Sequence, residues 1–144
     1  MRLVRDLLAE KGNEVWGVAP DASVLDALRL MAERRVGALL VLEGDKLAGL
    51  FSERDYARKV ILEGKASKDT PVRDIMSTKI VCVGPDESTD ECMSLMTENR
   101  IRHLPVMNDG KLEGVISIGD VVKAVIAERE QVIEHLEHYI SGSF

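Results

Sequence analysis

Two short stretches carry the residue types and spacing best suited to chemistry. In Gly49-Leu50-Phe51-Ser52-Glu53-Arg54-Asp55 and Gly114-Val115-Ile116-Ser117-Ile118-Gly119-Asp120, a hydroxyl and a carboxylate stand three positions apart. Each pair follows an apolar run and opens a helical pattern. The first turn of a helix leaves backbone N–H groups without partners, and its dipole favours negative charge. Serine and aspartate beside such donors make a seat for phosphate and ribose. The same spacing is that of a capping box, in which both side chains satisfy backbone donors and bind nothing. Its occurrence twice, at one place in a repeat, favours a ligand, with capping alongside.

Other chemistry is sparsely provided. There is no Ser-His-Asp signature, no Walker loop and no Gly-x-Gly-x-x-Gly, so the expectation is a protein without catalytic activity. His135 and His138 stand three apart with Glu134 and Glu137 beside them; a solvated helix face is the better reading than a metal pair, since no third ligand is suggested. Cys82 and Cys92 fall on a predicted strand and a predicted helix and form no Cys-x-x-Cys pair, which reads as two small core residues.

The elements that must position these residues occur twice. Residues 15–61 lie without a gap on residues 80–126, each 65 positions further along, and identities such as Pro20/Pro85, Ser23/Ser88, Met31/Met96, Arg35/Arg100, Gly49/Gly114, Ser52/Ser117 and Asp55/Asp120 recur. A lead-in is doubled too, Val4-Arg5-Asp6-Leu7 resembling Val72-Arg73-Asp74-Ile75. In each copy a strand (15–18; 80–83) ends before Pro20 or Pro85, and Asp21 or Asp86 offers a helix cap. Val24, Leu28 and Met31, with Thr89, Met93 and Met96 as counterparts, keep helical spacing. Two apolar strands follow (38–42 with 47–51; 104–107 with 112–116), turned at Gly44-Asp45 and Asp109-Gly110. A helix starts after Ser52 or Ser117. The order is β-α-β-β-α, one unit of which leaves an apolar sheet face uncovered.

The final helix, expected over residues 120–140, is the longer one. Val122, Val125, Val132, Leu136 and Tyr139 form a seam at coiled-coil spacing, interrupted by Arg129, with Ile126, Ile133 and Ile140 alongside. Such a stripe is buried on its own domain or on a second copy. The second option is favoured, a homodimer in which residues 53–62 also meet their mates.

With 144 residues, 45% of them hydrophobic, the chain can bury a core without staples. No run approaches a membrane span and no signal-peptide core follows the first residues, so the expected compartment is the cytoplasm. A net charge of −6 opposes nucleic acid and anionic membranes as partners.

Two β-α-β-β-α units, each closing with Gly-apolar-apolar-Ser-x-x-Asp, resemble the tandem cystathionine β-synthase (CBS) domain pair, or Bateman module. Asn99-Arg100-Ile101-Arg102-His103-Leu104-Pro105-Val106 looks like that family's basic segment. Tyr56–Leu62, Ser117–Val122 and the Tyr139-Ile140-Ser141-Gly142 end look like its short stand-alone members. The implied fold class is α+β, two repeats packed by pseudo-twofold symmetry, with 1–65 as the first repeat and lead-in and 66–144 as linker, second repeat and long helix.

The resemblance also implies a regulatory role acting on a partner protein in trans, through AMP, ATP or NAD bound in two clefts between the repeats. Asp120 and Asp55 would hold ribose hydroxyls, and Ser117 and Ser52 would reach ribose or phosphate. The adenine of the Asp120 cleft would lie against Val15, Trp16, Val36, Gly37 and Ala38, with Arg102 on the phosphate. The Asp55 cleft would be lined by Ile80, Val81 and Ile101, with His103 and Arg54 toward the phosphate. Gly37-Ala38 stand where the second copy has Arg102-His103, so the two clefts are unequal. The alternative is a dimeric protein-interaction scaffold whose clefts stay empty.

Overall fold

Serine hydroxyls start the helix after the first strand of each repeat. Ser23 Oγ accepts the Asp26 N–H and Ser88 Oγ the Glu91 N–H, both at 3.1 Å, and helices open at Val24 and Thr89. Asp21 and Asp86, the caps expected above, come two positions too early, because the backbone stays extended through Ser23 and Ser88. The structure, a computed structural model, describes residues 2–141. Gly142, which ends the Tyr139-Ile140-Ser141-Gly142 stretch, lies outside the described residues.

In chain order come α1 (Val4–Lys11), β1 (Gly17–Val18), α2 (Val24–Arg34), β2 (Ala38–Glu43), β3 (Lys46–Ser52) and α3 (Glu53–Tyr56), which runs on as a π-helical segment, Ala57–Ile61. A 3-10 turn at Val72–Asp74 precedes α4 (Thr89–Asn99), β4 (His103–Asn108), β5 (Lys111–Ser117) and α5 (Ile118–Ser141). The class is α+β. β1 runs parallel to β2, and β2–β3 and β4–β5 are antiparallel hairpins, each with its register shift at the same point, Val41/Leu42 and Val106/Met107. Both α2 and α4 end on an arginine in left-handed conformation, Arg35 at φ 56° and Arg100 at φ 53°, a C-terminal geometry more often given to glycine.

The first strand of the second copy, expected over 80–83, is reduced to a bridge between Val83 and Val106. Proline explains the loss. In the first copy the Leu40 N–H donates to Trp16 O; Pro105 holds the equivalent position and has no N–H to give Val81.

Among the described residues one compact unit is Glu14–Ile80, and the other joins residues 2–13 to residues 81–141. The packing units therefore differ from the consecutive division at 65/66. Val4, Leu7 and Leu8 of α1 are buried with Val83, Cys92, Met96, Leu104, Val106, Ile116 and Val121, the core of the second repeat. Val72 and Ile75, their counterparts in the second lead-in, are buried with Val24, Met31, Leu39, Val41 and Phe51 of the first. Each lead-in thus fills the core of the other repeat. Edge pairings agree: Leu3 bridges Ser88, and Pro71 bridges Ser23. The closing-motif glycines make room for the lead-ins. A Cβ on Gly114 would stand 2.8 Å from Leu8 Cδ2, and one on Gly49 2.6 Å from Met76 Sδ.

Val121 and Ala124 sink α5 into its unit, and Val125 packs partly against the same core. Residues 131–141 leave it, each of 131–140 exposed. Of the expected seam only Val125 is drawn partly into the core; Val122, Val132, Leu136 and Tyr139 are exposed, as are Ile126, Ile133 and Ile140 alongside, with Arg129 among them. Ile61 and Leu62 are exposed as well, at the end of the α3 segment. Among the described residues no helix is long and apolar enough to cross a membrane.

Candidate functional site

The second-repeat site is assembled where β5 turns into α5. Ser117 is the last residue of β5, and its hydroxyl accepts the Asp120 N–H at 3.2 Å. Asp120 Oδ2 accepts the Ser117 N–H at 2.8 Å, completing a capping box. His103, first residue of β4, is the cross-strand partner of Ser117, and Arg102 O accepts the Ile118 N–H at 2.9 Å. Four of the residues singled out from sequence, Arg102, His103, Ser117 and Asp120, are therefore brought to one helix start.

A fifth member comes from far away in sequence. Lys11, last residue of α1, donates to Asp120 Oδ2 at 2.6 Å and to Val115 O at 2.8 Å. Sequence reasoning missed it, because α1 was read with the first repeat. Its counterpart by lead-in alignment, Lys79, is exposed. Burial pushes the Asp120 carboxyl up, but the Lys11 ammonium and the Ser117 amide and hydroxyl outweigh it and hold the group below the ordinary carboxylate value. Burial, with Lys11 and Arg102 nearby, lowers the His103 imidazole against the pull of Asp120. No described hydrogen bond uses Asp120 Oδ1, and a quarter of the side chain (25%) is exposed. A carboxylate with one oxygen left over, held by Lys11 and with His103 and Arg102 at the same helix start, can take a hydroxyl on one side and an anion on the other.

The first-repeat counterpart is closed. Asp55 Oδ2 accepts the Ser52 N–H and Ser52 Oγ–H, both at 3.0 Å, while Oδ1 takes Ser77 Oγ–H at 3.3 Å and lies 3.2 Å from Lys59 Nζ. Only 12% of the side chain is exposed. Lys59 sits one turn along the same helix and also donates to Ile75 O. The corresponding second-repeat position is Ala124, which is why Asp120 waits for a lysine from elsewhere. Arg54 is exposed beside Asp55.

The remaining candidates lie at strand edges. Within Glu14–Ile80, Val15 and Trp16 precede β1, Val36 and Gly37 precede β2, and Ala38 pairs with Ser52. Trp16 and Val36 pack against the first-repeat core, and the Arg34 guanidinium lies over the Trp16 ring, 3.9 Å from its centroid. Val36 and Gly37 border an open hollow of about 420 Å³ with Leu28, Met31, Arg35 and Glu53. Ile80 closes that unit, half-buried. Val81 and Ile101 pack against the second-repeat core. Among the described residues no group of His, Cys, Asp and Glu side chains is placed to hold a metal.

A family model described as CBS domain matches residues 4–62 and 72–127. The chain is similar to the CBS domain-containing protein CBSX3, mitochondrial, of Arabidopsis thaliana, 41% identical over 150 residues, covering 98% of this chain and 73% of that protein. A solved structure with CBS domains from Burkholderia ambifaria is 53% identical at a TM-score of 0.84, covering 88% of this chain and 95% of its own. The CBS domain pair of protein MJ0100, solved with 5′-methylthioadenosine and S-adenosyl-L-methionine, has a TM-score of 0.77 at 20% identity, over 89% of this chain and 98% of that one, a likeness of fold.

Proposed function

The chain belongs to the CBS domain family, and from that premise we propose that it is a regulatory module that binds an adenosine nucleotide at Asp120 and acts on a partner protein in trans. The observation that carries the reading is the Asp120 carboxylate, bonded to the Ser117 N–H and to Lys11 through Oδ2 with Oδ1 left over, at a helix start that Arg102 and His103 share. That arrangement has an acceptor for ribose hydroxyls and cations for a phosphate. Asp55, whose oxygens are both engaged within its own unit, is the weaker candidate. The adenosine compounds solved on the MJ0100 pair support the ligand class. The adenine wall of Val15, Trp16, Val36, Gly37 and Ala38 belongs to the proposal through the family resemblance, as do Ile80, Val81, Ile101 and Arg54 for a second ligand. AMP, ATP and NAD share the adenosine half and stand as the ligands to test.

The functional form in this proposal is a homodimer in the cytoplasm. Its support is the exposed line of α5, Val122, Ile126, Ile133, Leu136 and Ile140, alternating four and three residues apart around Arg129. Nothing catalytic is assigned. Calorimetric titration with AMP, ATP and NAD, with Trp16 fluorescence followed in parallel, tests the reading: saturable binding that weakens in Asp120→Ala is expected. No binding of any of them leaves the scaffold as the function.

A further inference from the structure

We propose that Lys11 is the phosphate ligand of the Asp120 site and sets its preference for 5′-phosphorylated adenosine over adenosine with an uncharged or cationic 5′ group. This rests on the reading of Asp120 as the ribose residue. Lys11 Nζ spends two donors on Asp120 Oδ2 and Val115 O, and an ammonium has three. The third is available to an anion beside the carboxylate.

The rest of the unit aims this lysine rather than leaving it to chance. α1 is anchored by buried Val4, Leu7 and Leu8, by the Arg5–Asp86 ion pair at 2.6 Å, and by contacts of Arg2 with Glu10 and Glu128. Lys11 is an exposed residue with 35% of its side chain accessible, and its Nζ is fixed by two acceptors, so the charge is held in place beside the carboxylate and within reach of a ligand. Arg102 lies at the same helix start, and His103 is held toward its neutral form. The local balance of Lys11 and Arg102 against Asp120 is therefore positive, although the chain as a whole carries −6. A phosphate corrects that balance; a sulfonium adds to it.

Lys11 also opposes the ribose. Two ribose hydroxyls would use both Asp120 oxygens, and Oδ2 already accepts Lys11 and the Ser117 N–H. Without a phosphate to receive the ammonium, ribose competes with the ion pair. With one, the ammonium has a second anion and the carboxylate is released to the hydroxyls. Removal of Lys11 should thus separate the two ligand classes.

The test is calorimetry with AMP, adenosine and S-adenosyl-L-methionine on the intact chain and on Lys11→Met, Lys11→Arg and Lys79→Met. Lys11→Met is expected to weaken AMP by about tenfold or more, the scale of one lost charge-assisted contact, and to leave adenosine unchanged or tighter. Lys11→Arg should keep the AMP preference, and Lys79→Met should behave as the parent. Equal weakening of AMP and adenosine in Lys11→Met, with an unchanged circular dichroism spectrum, overturns the proposal in favour of a purely structural lysine. Unchanged AMP binding overturns it as well. If the parent chain binds neither AMP nor adenosine, the reading of Asp120 itself fails, and the role of Lys11 with it.

Discussion

Lys11 Nζ lies 2.6 Å from Asp120 Oδ2, across 109 positions of sequence. The contact exists because α1, which precedes the first repeat, is packed into the core of the second. It joins the carboxylate proposed for ribose to a helix that no local pattern connects with it.

Asp120→Ala should weaken AMP binding by about 1.5–3 kcal/mol, the range for losing hydrogen bonds to a charged group. As a cap residue alone it is worth about 1 kcal/mol, felt in stability only. Titration calorimetry and a thermal melt on the same sample separate the two roles: unchanged binding with an earlier melt would leave only the cap. Asp55→Ala should show the reverse, a lower melting temperature from the orphaned Ser52, Ser77 and Lys59 groups and little change in AMP affinity at Asp120.

Stability should fall as pH drops through the His103 range. The imidazole is lowered in the folded state, so the unfolded chain binds the proton more readily and stability rises with pH. Its share is complete above the ordinary histidine value of 6.5 and is lost as pH falls through the lower folded value. The Asp120 share, also from a lowered group, is complete above 3.8 and lost only below it. Urea melts at about pH 8 and about pH 5 should therefore differ less in His103→Gln than in the parent. An unchanged difference would show that His103 is not the titrating group.

Gly49→Ala should cost more stability than Gly114→Ala. The new methyl at 49 meets Met76 Sδ at 2.6 Å and the Ser77 carbonyl at 3.0 Å, backbone that cannot turn aside. At 114 the only close atom is Leu8 Cδ2 at 2.8 Å, the end of a side chain that can rotate. Overpacking of the first kind costs about 1–3 kcal/mol. Chemical denaturation of both variants measures the difference, and equal losses would contradict the lead-in packing.

Cys92 should resist thiol reagents in the native protein. Burial, helped by the nearby Glu87 and Glu91 carboxylates, pushes its thiol up to about 11, and burial raises Cys82 as well. A thiolate is the reacting species, so disulfide exchange with an aromatic disulfide at pH 8 should be slow until denaturant is added. Immediate reaction of two thiols per native chain would refute the burial.

Ile133→Glu combined with Leu136→Glu should release a monomer. Both residues are exposed in the single chain, at 56% each, so a charge there costs the fold little. In a helix pair it would place carboxylates at the contact. Sedimentation of parent and variant decides: a parent that is already monomeric removes the dimer from the proposed function.

The repeat, the β-α-β-β-α order and the Ser-x-x-Asp motifs were legible from the chain alone, because they are local. A serine cap, a period of 3.6 or 2 and a glycine turn act over a few residues and leave their mark in neighbouring letters. The strand expected before Val83 is the exception: its cause, Pro105 with no N–H for the ladder, stands in the chain, but which residue would have faced Val81 is set by the pairing of β4. What tertiary structure alone decided is which partners meet. The two lead-ins have similar sequences and similar apolar faces, so nothing local says that Val4–Lys11 packs on the second repeat and Val72–Ile75 on the first. That exchange sets Lys11 against Asp120 and Ser77 against Asp55, and together with Lys59 standing where the second copy has Ala124 it makes two copies of one motif an open carboxylate and a closed one. The stripe of α5 follows the same logic: spacing offered two adjacent lines of apolar residues, and packing against the second-repeat core drew in Val121, Ala124 and part of Val125 while leaving both lines at the surface from residue 131 on.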